Sequence, residues 1–157
     1  MKQFRTNAGF TLIELVVVIV ILGILTATIV PRFTNLQIDA RVAVVGGLEA
    51  SVRSATSMYH GVKLAIGSAS GATVPANRFE GVGAVVPDVN FYPDTVATGI
   101  QALVTDSGGD FTATPAGTGT TTTWTLNGAT TPANCNVIFN AAAAGSPPVI
   151  TTLITGC

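Results

Sequence analysis

Charge is what this sequence has least of. Only 10% of its 157 residues are Asp, Glu, Lys or Arg, against roughly 25% in an ordinary soluble domain. Hydrophobic residues make up 48%, and so apolar a chain is not intrinsically disordered, which requires the opposite balance. Seven Lys plus Arg face eight Asp plus Glu, a net charge of −1, so the basic footprint of a dedicated nucleic-acid binder is missing. A single histidine leaves little for His-based catalysis or metal binding. Two cysteines exclude a disulfide-dense miniprotein and any Cys-rich zinc module. The length suits one domain.

What is present is unevenly placed. In the 21 residues from Phe10 to Val30, Glu14 is the only ionisable group. As a helix the run rises about 32 Å, which matches a bilayer's hydrocarbon core of about 30 Å. Lys2 and Arg5 precede it and predict a cytoplasmic amino terminus with the remainder facing outward. A secretory signal peptide has a shorter apolar region closed by an A-x-A-like site, which Leu25-Thr26-Ala27 matches poorly. A plain anchor has no use for Glu14, because a carboxylate in hydrocarbon costs several kcal/mol unless it is partnered or protonated.

The sequence Gly9-Phe10-Thr11-Leu12-Ile13-Glu14 and the apolar stretch after it resemble the processing motif of type IV pilins and their pseudopilin relatives. The resemblance implies that a membrane-embedded prepilin peptidase cuts between Gly9 and Phe10 on the cytoplasmic side and N-methylates Phe10. The leader, residues 1–9, would leave with Lys2 and Arg5, so five bases would face eight acids for a net −3. The new ammonium of Phe10 is a charge that low-dielectric packing penalises. Glu14, four residues on, either neutralises its own amino terminus or pairs with that of a neighbouring subunit. The resemblance favours the second, in which the pair sets the axial register. A buried pair adds little net stability but penalises misregistered packing.

Gly23 costs about 1 kcal/mol and Pro31 about 3 kcal/mol in a helix interior. In lipid the helix is expected to persist, because unmade backbone bonds are expensive there. In a packed filament the pilin resemblance implies melting between Gly23 and Pro31. Beyond Pro31 the spacing of Phe33, Leu36, Ala40, Val44, Leu48, Val52, Ala55, Tyr59 and Val62 predicts one apolar stripe. Asn35, Asp39, Gly46, Glu49, Arg53 and Thr56 lie opposite, with Glu49 and Arg53 as an i,i+4 ion pair. Gly46-Gly47 predicts a bend, and Gly61 after His60 predicts the helix end. The helix is thus expected from about Phe10 to about His60, apolar all round over residues 10–30 and amphipathic over 31–60. Pro31-Arg32-Phe33, Asn35-Leu36-Gln37 and Asp39-Ala40-Arg41 resemble the mannose-sensitive haemagglutinin (MSHA) type of pilin from Gram-negative bacteria. That likeness covers the first sixty residues and touches the rest only in layout.

From Gly61 the composition turns to Gly, Ser, Ala, Pro and Thr, predicting a globular head over residues 61–157. Gly61 to Val86 reads as a connector with turns at Gly67-Ser68 and Gly71 and a short strand. Asn90-Phe91-Tyr92-Pro93-Asp94 reads as a turn into a short helix from Val96 to Thr105, capped by Asp94. Ten of the twenty residues from Thr112 to Thr131 are Thr. Within them Thr121 to Leu126 with Asn127-Gly128 reads as a hairpin, anchored in the core by Trp124. Surface threonines are also candidate carriers of O-linked sugars. Strands on either side of Gly145-Ser146-Pro147-Pro148 would bring Cys135 and Cys157 opposite each other, close enough for a disulfide; the alternative is two buried thiols. In pilins such a disulfide-bounded region is exposed on the filament.

Enzyme readings find little support. Ser-His-Asp catalysis would need His60, which falls inside the helical pattern. Asp106 and Asp110, and Asp88-Val89-Asn90 with Asp94, loosely suggest a calcium loop but lack its Gly and Glu. No cofactor is implied. The expected fold is therefore α+β, the type IV pilin fold: a long amino-terminal helix on a small antiparallel sheet. The expected role is a filament subunit held first in the inner membrane. The resemblance implies as partners identical subunits, the prepilin peptidase, an assembly ATPase with an outer-membrane secretin, and surface receptors that it does not specify. A pseudopilin of type II secretion is the runner-up. A secreted soluble binding protein with a signal peptide is the reading from another class.

Overall fold

The computed structural model of the chain describes residues 10–82, 88–104, 109–115 and 120–157. The architecture is α+β, a long amino-terminal helix followed by a four-stranded antiparallel sheet. The chain divides into two compact units, one reaching Asp39 and the other running from Ala40 to Cys157.

Helix α1 spans Leu12–Ala65. In the first unit its described side chains are all exposed, and Leu12–Val30 is long and apolar enough to cross a membrane. It is unbroken at Gly23 and Pro31. In the second unit the helix buries Val45, Leu48, Val52, Ala55, Thr56, Tyr59 and Lys63. This corrects the expected stripe in its first turns, where Val44 is exposed and Val45 is inside. The reason is a broad inward face that takes neighbouring positions of each turn, not a single row. Thr56, expected outside, is buried with its hydroxyl donating to the Val52 carbonyl at 2.7 Å.

The helix also passes Gly61 and stops at Ala65, five residues beyond His60. The extra turn is held by packing: Val62 and Ile66 lie against the cluster of Tyr59, Val74 and Phe79, and buried Lys63 donates to the Ala72 carbonyl. Gly67, at φ 61°, supplies the left-handed residue that ends a helix.

Strands β1 (Asp88–Val89) and β2 (Tyr92–Pro93) form a two-stranded hairpin. Strands β3 (Phe111–Pro115), β4 (Thr121–Leu126), β5 (Asn136–Asn140) and β6 (Val149–Leu153) pair antiparallel in chain order. Trp124, Leu126, Val137 and Phe139 face α1 in the core, as alternation requires. The opposite face carries Thr112 beside Thr125 and Thr114 beside Thr123. These four strands contain no Asp, Glu, Lys or Arg.

Three local expectations change. Asn127-Gly128 forms a turn but does not close a two-residue hairpin; β4 reaches β5 through residues 127–135, which add a 3-10 turn at Pro132–Asn134. Asn127 instead ties the start of β3, donating to the Gly109 carbonyl at 2.9 Å and accepting from the Thr112 hydroxyl at 2.7 Å. The expected helix at Val96 is a single turn, α2 (Ile100–Leu103), with Thr105 outside the described residues. Asp94 does not cap it: its carboxylate takes the amide of Thr95 at 2.6 Å, and its carbonyl takes the amide of Ile100 at 2.8 Å. That approach requires Gly99, where a Cβ would lie 2.1 Å from the Asp94 carbonyl oxygen.

Candidate functional site

The chemistry-bearing part of the sequence is the start of α1. Gly9 and the leader with Lys2 and Arg5 lie outside the described residues. Phe10 is 88% exposed and precedes the helix, which begins at Leu12. Thr11 caps it: its carbonyl accepts from the Leu15 amide and its hydroxyl from the Glu14 amide, both at 3.3 Å. Thr11-Leu12-Ile13-Glu14 has the spacing of a capping box, a signal present in the sequence and passed over there. Glu14 therefore has two local reasons for its place, the capping spacing and a negative charge in the first turn, where the helix dipole favours one.

Further along, Thr26 donates to the carbonyls of Leu22 at 2.8 Å and Gly23 at 3.0 Å, and Thr28 to that of Leu25 at 2.9 Å. Such back-bonding competes with the backbone ladder and loosens a helix slightly. It falls between Gly23 and Pro31, the two positions whose residue types weaken a helix most.

In the second unit Cys135 and Cys157 form a disulfide, with Cα atoms 4.9 Å apart. The pairing is as expected but the geometry that achieves it is different. The register Asn136↔Leu153 to Asn140↔Val149 places Ile154, not Cys157, opposite Cys135. The turn is centred earlier than Gly145-Ser146-Pro147-Pro148, with the Ser146 amide donating to Ala143 at 3.0 Å. Cys157 is delivered by a second turn, in which its amide reaches the Ile154 carbonyl at 3.3 Å. Gly156 allows this, since a Cβ there would lie 2.4 Å from the Thr131 carbonyl oxygen. Arg41 donates to the Cys157 carbonyl at 2.8 Å and fastens the tail to α1.

Glu49 and Arg53 form the expected ion pair at 2.7 Å. The Thr152 hydroxyl also donates to Glu49, at 2.8 Å. That bond, with the guanidinium of Arg53 beside it, holds the Glu49 carboxyl below its ordinary range.

Among the candidate metal ligands, Asp106 and the side chain of Asp88 lie outside the described residues. Asp94 is engaged by Thr95, and among the described residues no group of three His, Cys, Asp or Glu is placed to hold an ion. His60 is not at a helix end: its ring stacks on Tyr92 with centroids 4.3 Å apart, and Nδ1 lies 3.1 Å from the Phe91 carbonyl oxygen. Asn90 and Phe91 both have positive φ, 52° and 69°. A phenylalanine held there costs about 1–2 kcal/mol, and nothing in the sequence pattern signals it.

Residues 4–30 match the prokaryotic N-terminal methylation motif. The chain is similar to the type II secretion system core protein G of Pseudomonas aeruginosa, 46% identical over 57 residues, which are 36% of this chain and 40% of that protein. It is also similar to the type IV narrow pilus major component PilA5 of Thermus thermophilus, 60% identical over 47 residues, 30% of this chain and 40% of that one. The matched stretches span less than half the length of these curated relatives. No solved structure matches the chain significantly. With a methylation motif that takes in the exposed apolar helix, and with a pilin and a pseudopilin among its relatives, the amino-terminal part of the chain is type IV pilin-like.

Proposed function

We propose that the chain is a structural subunit, not an enzyme, which polymerises through its amino-terminal helix into a type IV pilus of the MSHA kind for surface attachment. The observation that carries this reading is Leu12–Val30: nineteen residues of a hydropathic helix, none of them buried by the chain, inside the stretch that matches the methylation motif. Such a surface is tolerated in a bilayer or against identical helices and nowhere in water. Prepilin peptidase would cut at Gly9–Phe10 and methylate Phe10. The subunit would wait in the inner membrane with its carboxy-terminal unit outside. The ammonium of Phe10 would then meet Glu14 of a neighbour as an ATPase-driven machine extracts subunits through a secretin. In the packed fibre the stretch between Gly23 and Pro31 would give up its helix. The proposal includes no nucleic-acid role.

A second reading is favoured by the relative from type II secretion: a pseudopilin whose short fibre stays in the periplasm. Amino-terminal mass analysis tests both against a secreted soluble protein, which would begin after the apolar run and not at methylated Phe10. Shearing then separates the two: extracellular fibres containing this chain support the pilus, and fibres confined to the periplasm support the pseudopilin.

A further inference from the structure

In the second unit, two adjoining hollows of about 310 and 300 Å³ share Tyr92 and Pro147. Each is of the size that holds a small ligand. The first is lined also by Phe91, Ser70 and Ser146, the second by Arg53 and Ser57. Besides these rings and hydroxyls the walls carry Asn90 and the aliphatic Ile150. Arg53 is the one ionic side chain among these, and Glu49 already holds it at 2.7 Å.

The site is also preorganised. His60 on α1 fixes the Tyr92 ring by a parallel stack, 4° from coplanar. Asn90 donates to the Ala142 carbonyl at 3.0 Å, which ties the β1–β2 turn to the 141–148 loop that carries Ser146 and Pro147. A two-residue turn with positive φ at both positions suits Asn at the first and Gly at the second. Phe91 stands where glycine would be easiest, at φ 69°, and its side chain is exposed. Backbone strain borne by an exposed aromatic at the rim of a cleft points to a ligand.

We propose that this cleft binds a neutral, β-linked gluco-configured saccharide, with successive rings lying against Tyr92 and Pro147. The proposal is independent of the filament reading. A gluco ring carries its hydroxyls equatorially and so presents flat C–H faces to an aromatic or proline ring, while the equatorial hydroxyls meet serines at the edge. A manno ring breaks one face with an axial hydroxyl, and a polyanion finds no unpaired cation among the lining residues named here.

The test is a titration of isotope-labelled full-length chain in dodecylphosphocholine micelles, which have no sugar headgroup. Cellotetraose, mannotetraose and single-stranded DNA are added separately. Cellotetraose is expected to shift the resonances of His60, Phe91, Tyr92 and Gly145–Pro148, and mannotetraose to do so more weakly. Phe91→Gly relieves the left-handed backbone and is expected to fold at least as well as the parent while binding about tenfold more weakly. Pro147→Ala, in an exposed loop, provides a second loss of affinity should Phe91→Gly disturb the hairpin. No shift with cellotetraose, shifts elsewhere on the protein, equal binding of mannotetraose, DNA shifting these resonances instead, or full affinity in either variant would each overturn the proposal.

Discussion

Replacing both Cys135 and Cys157 by alanine should remove about 4 kcal/mol of stability. The bond closes a loop with a sequence separation of 22, and cutting such a loop frees the unfolded chain by about 3 kcal/mol at room temperature. The sulfur atoms add to this because Cys135 and Cys157 are 0% and 4% exposed. Losing that packing costs on the order of 1 kcal/mol, reduced as the tail relaxes. Alanine is the right replacement, since serine would bury hydroxyls without partners. The assay is urea unfolding of the full-length chain in micelles, followed by the fluorescence of Trp124, the sole tryptophan and 1% exposed. The urea slope should also steepen, because an unlinked unfolded chain exposes more surface. A loss below about 1 kcal/mol, with the parent shown by mass to be oxidised, would refute the loop-closure reasoning.

Three further outcomes follow from the geometry. Gly99→Ala drives a methyl into the Asp94 carbonyl, 2.1 Å away; it should displace buried Ile100 and cost about 2–4 kcal/mol in the same melt. Glu49 has a folded pKa below its unfolded value, so its contribution is present above the unfolded pKa and lost as pH falls through the folded one. With the pair open to solvent that contribution stays under about 1 kcal/mol, and Thr152→Val should flatten this acid-side slope in melts run at successive pH values. Glu14→Ala should still insert and be processed, yet yield few sheared fibres; normal fibre yield would defeat the register role.

The helix, the ion pair, the buried tryptophan and the disulfide partners were legible because each rests on short-range pattern or on elimination. Glu49 and Arg53 are neighbours on any helix, and Trp124 points to the opposite face from Thr123 and Thr125 on any strand. What escaped depends on partners distant in sequence. Gly61 carries an end signal, but Val62, Lys63 and Ile66 find packing that outweighs it. Asn127-Gly128 is a strong turn dipeptide, yet the pairing partner of β4 lies beyond a 3-10 turn whose placement depends on Gly156 fitting under Thr131. The stack of His60 on Tyr92 joins residues that no periodicity relates. At the amino terminus the opposite holds, since Thr11 and Glu14 are three apart and their link was readable.

The sheet without acids or bases has a consequence for where such a protein can work. Attraction between charged surfaces collapses as dissolved ions accumulate, because their reach shortens from about 30 Å in dilute water to about 3 Å in brine. Threonine methyls and hydroxyls have no such reach to lose. The hydration and stickiness of the β3–β6 outer face should stay constant from a freshwater stream to an estuary.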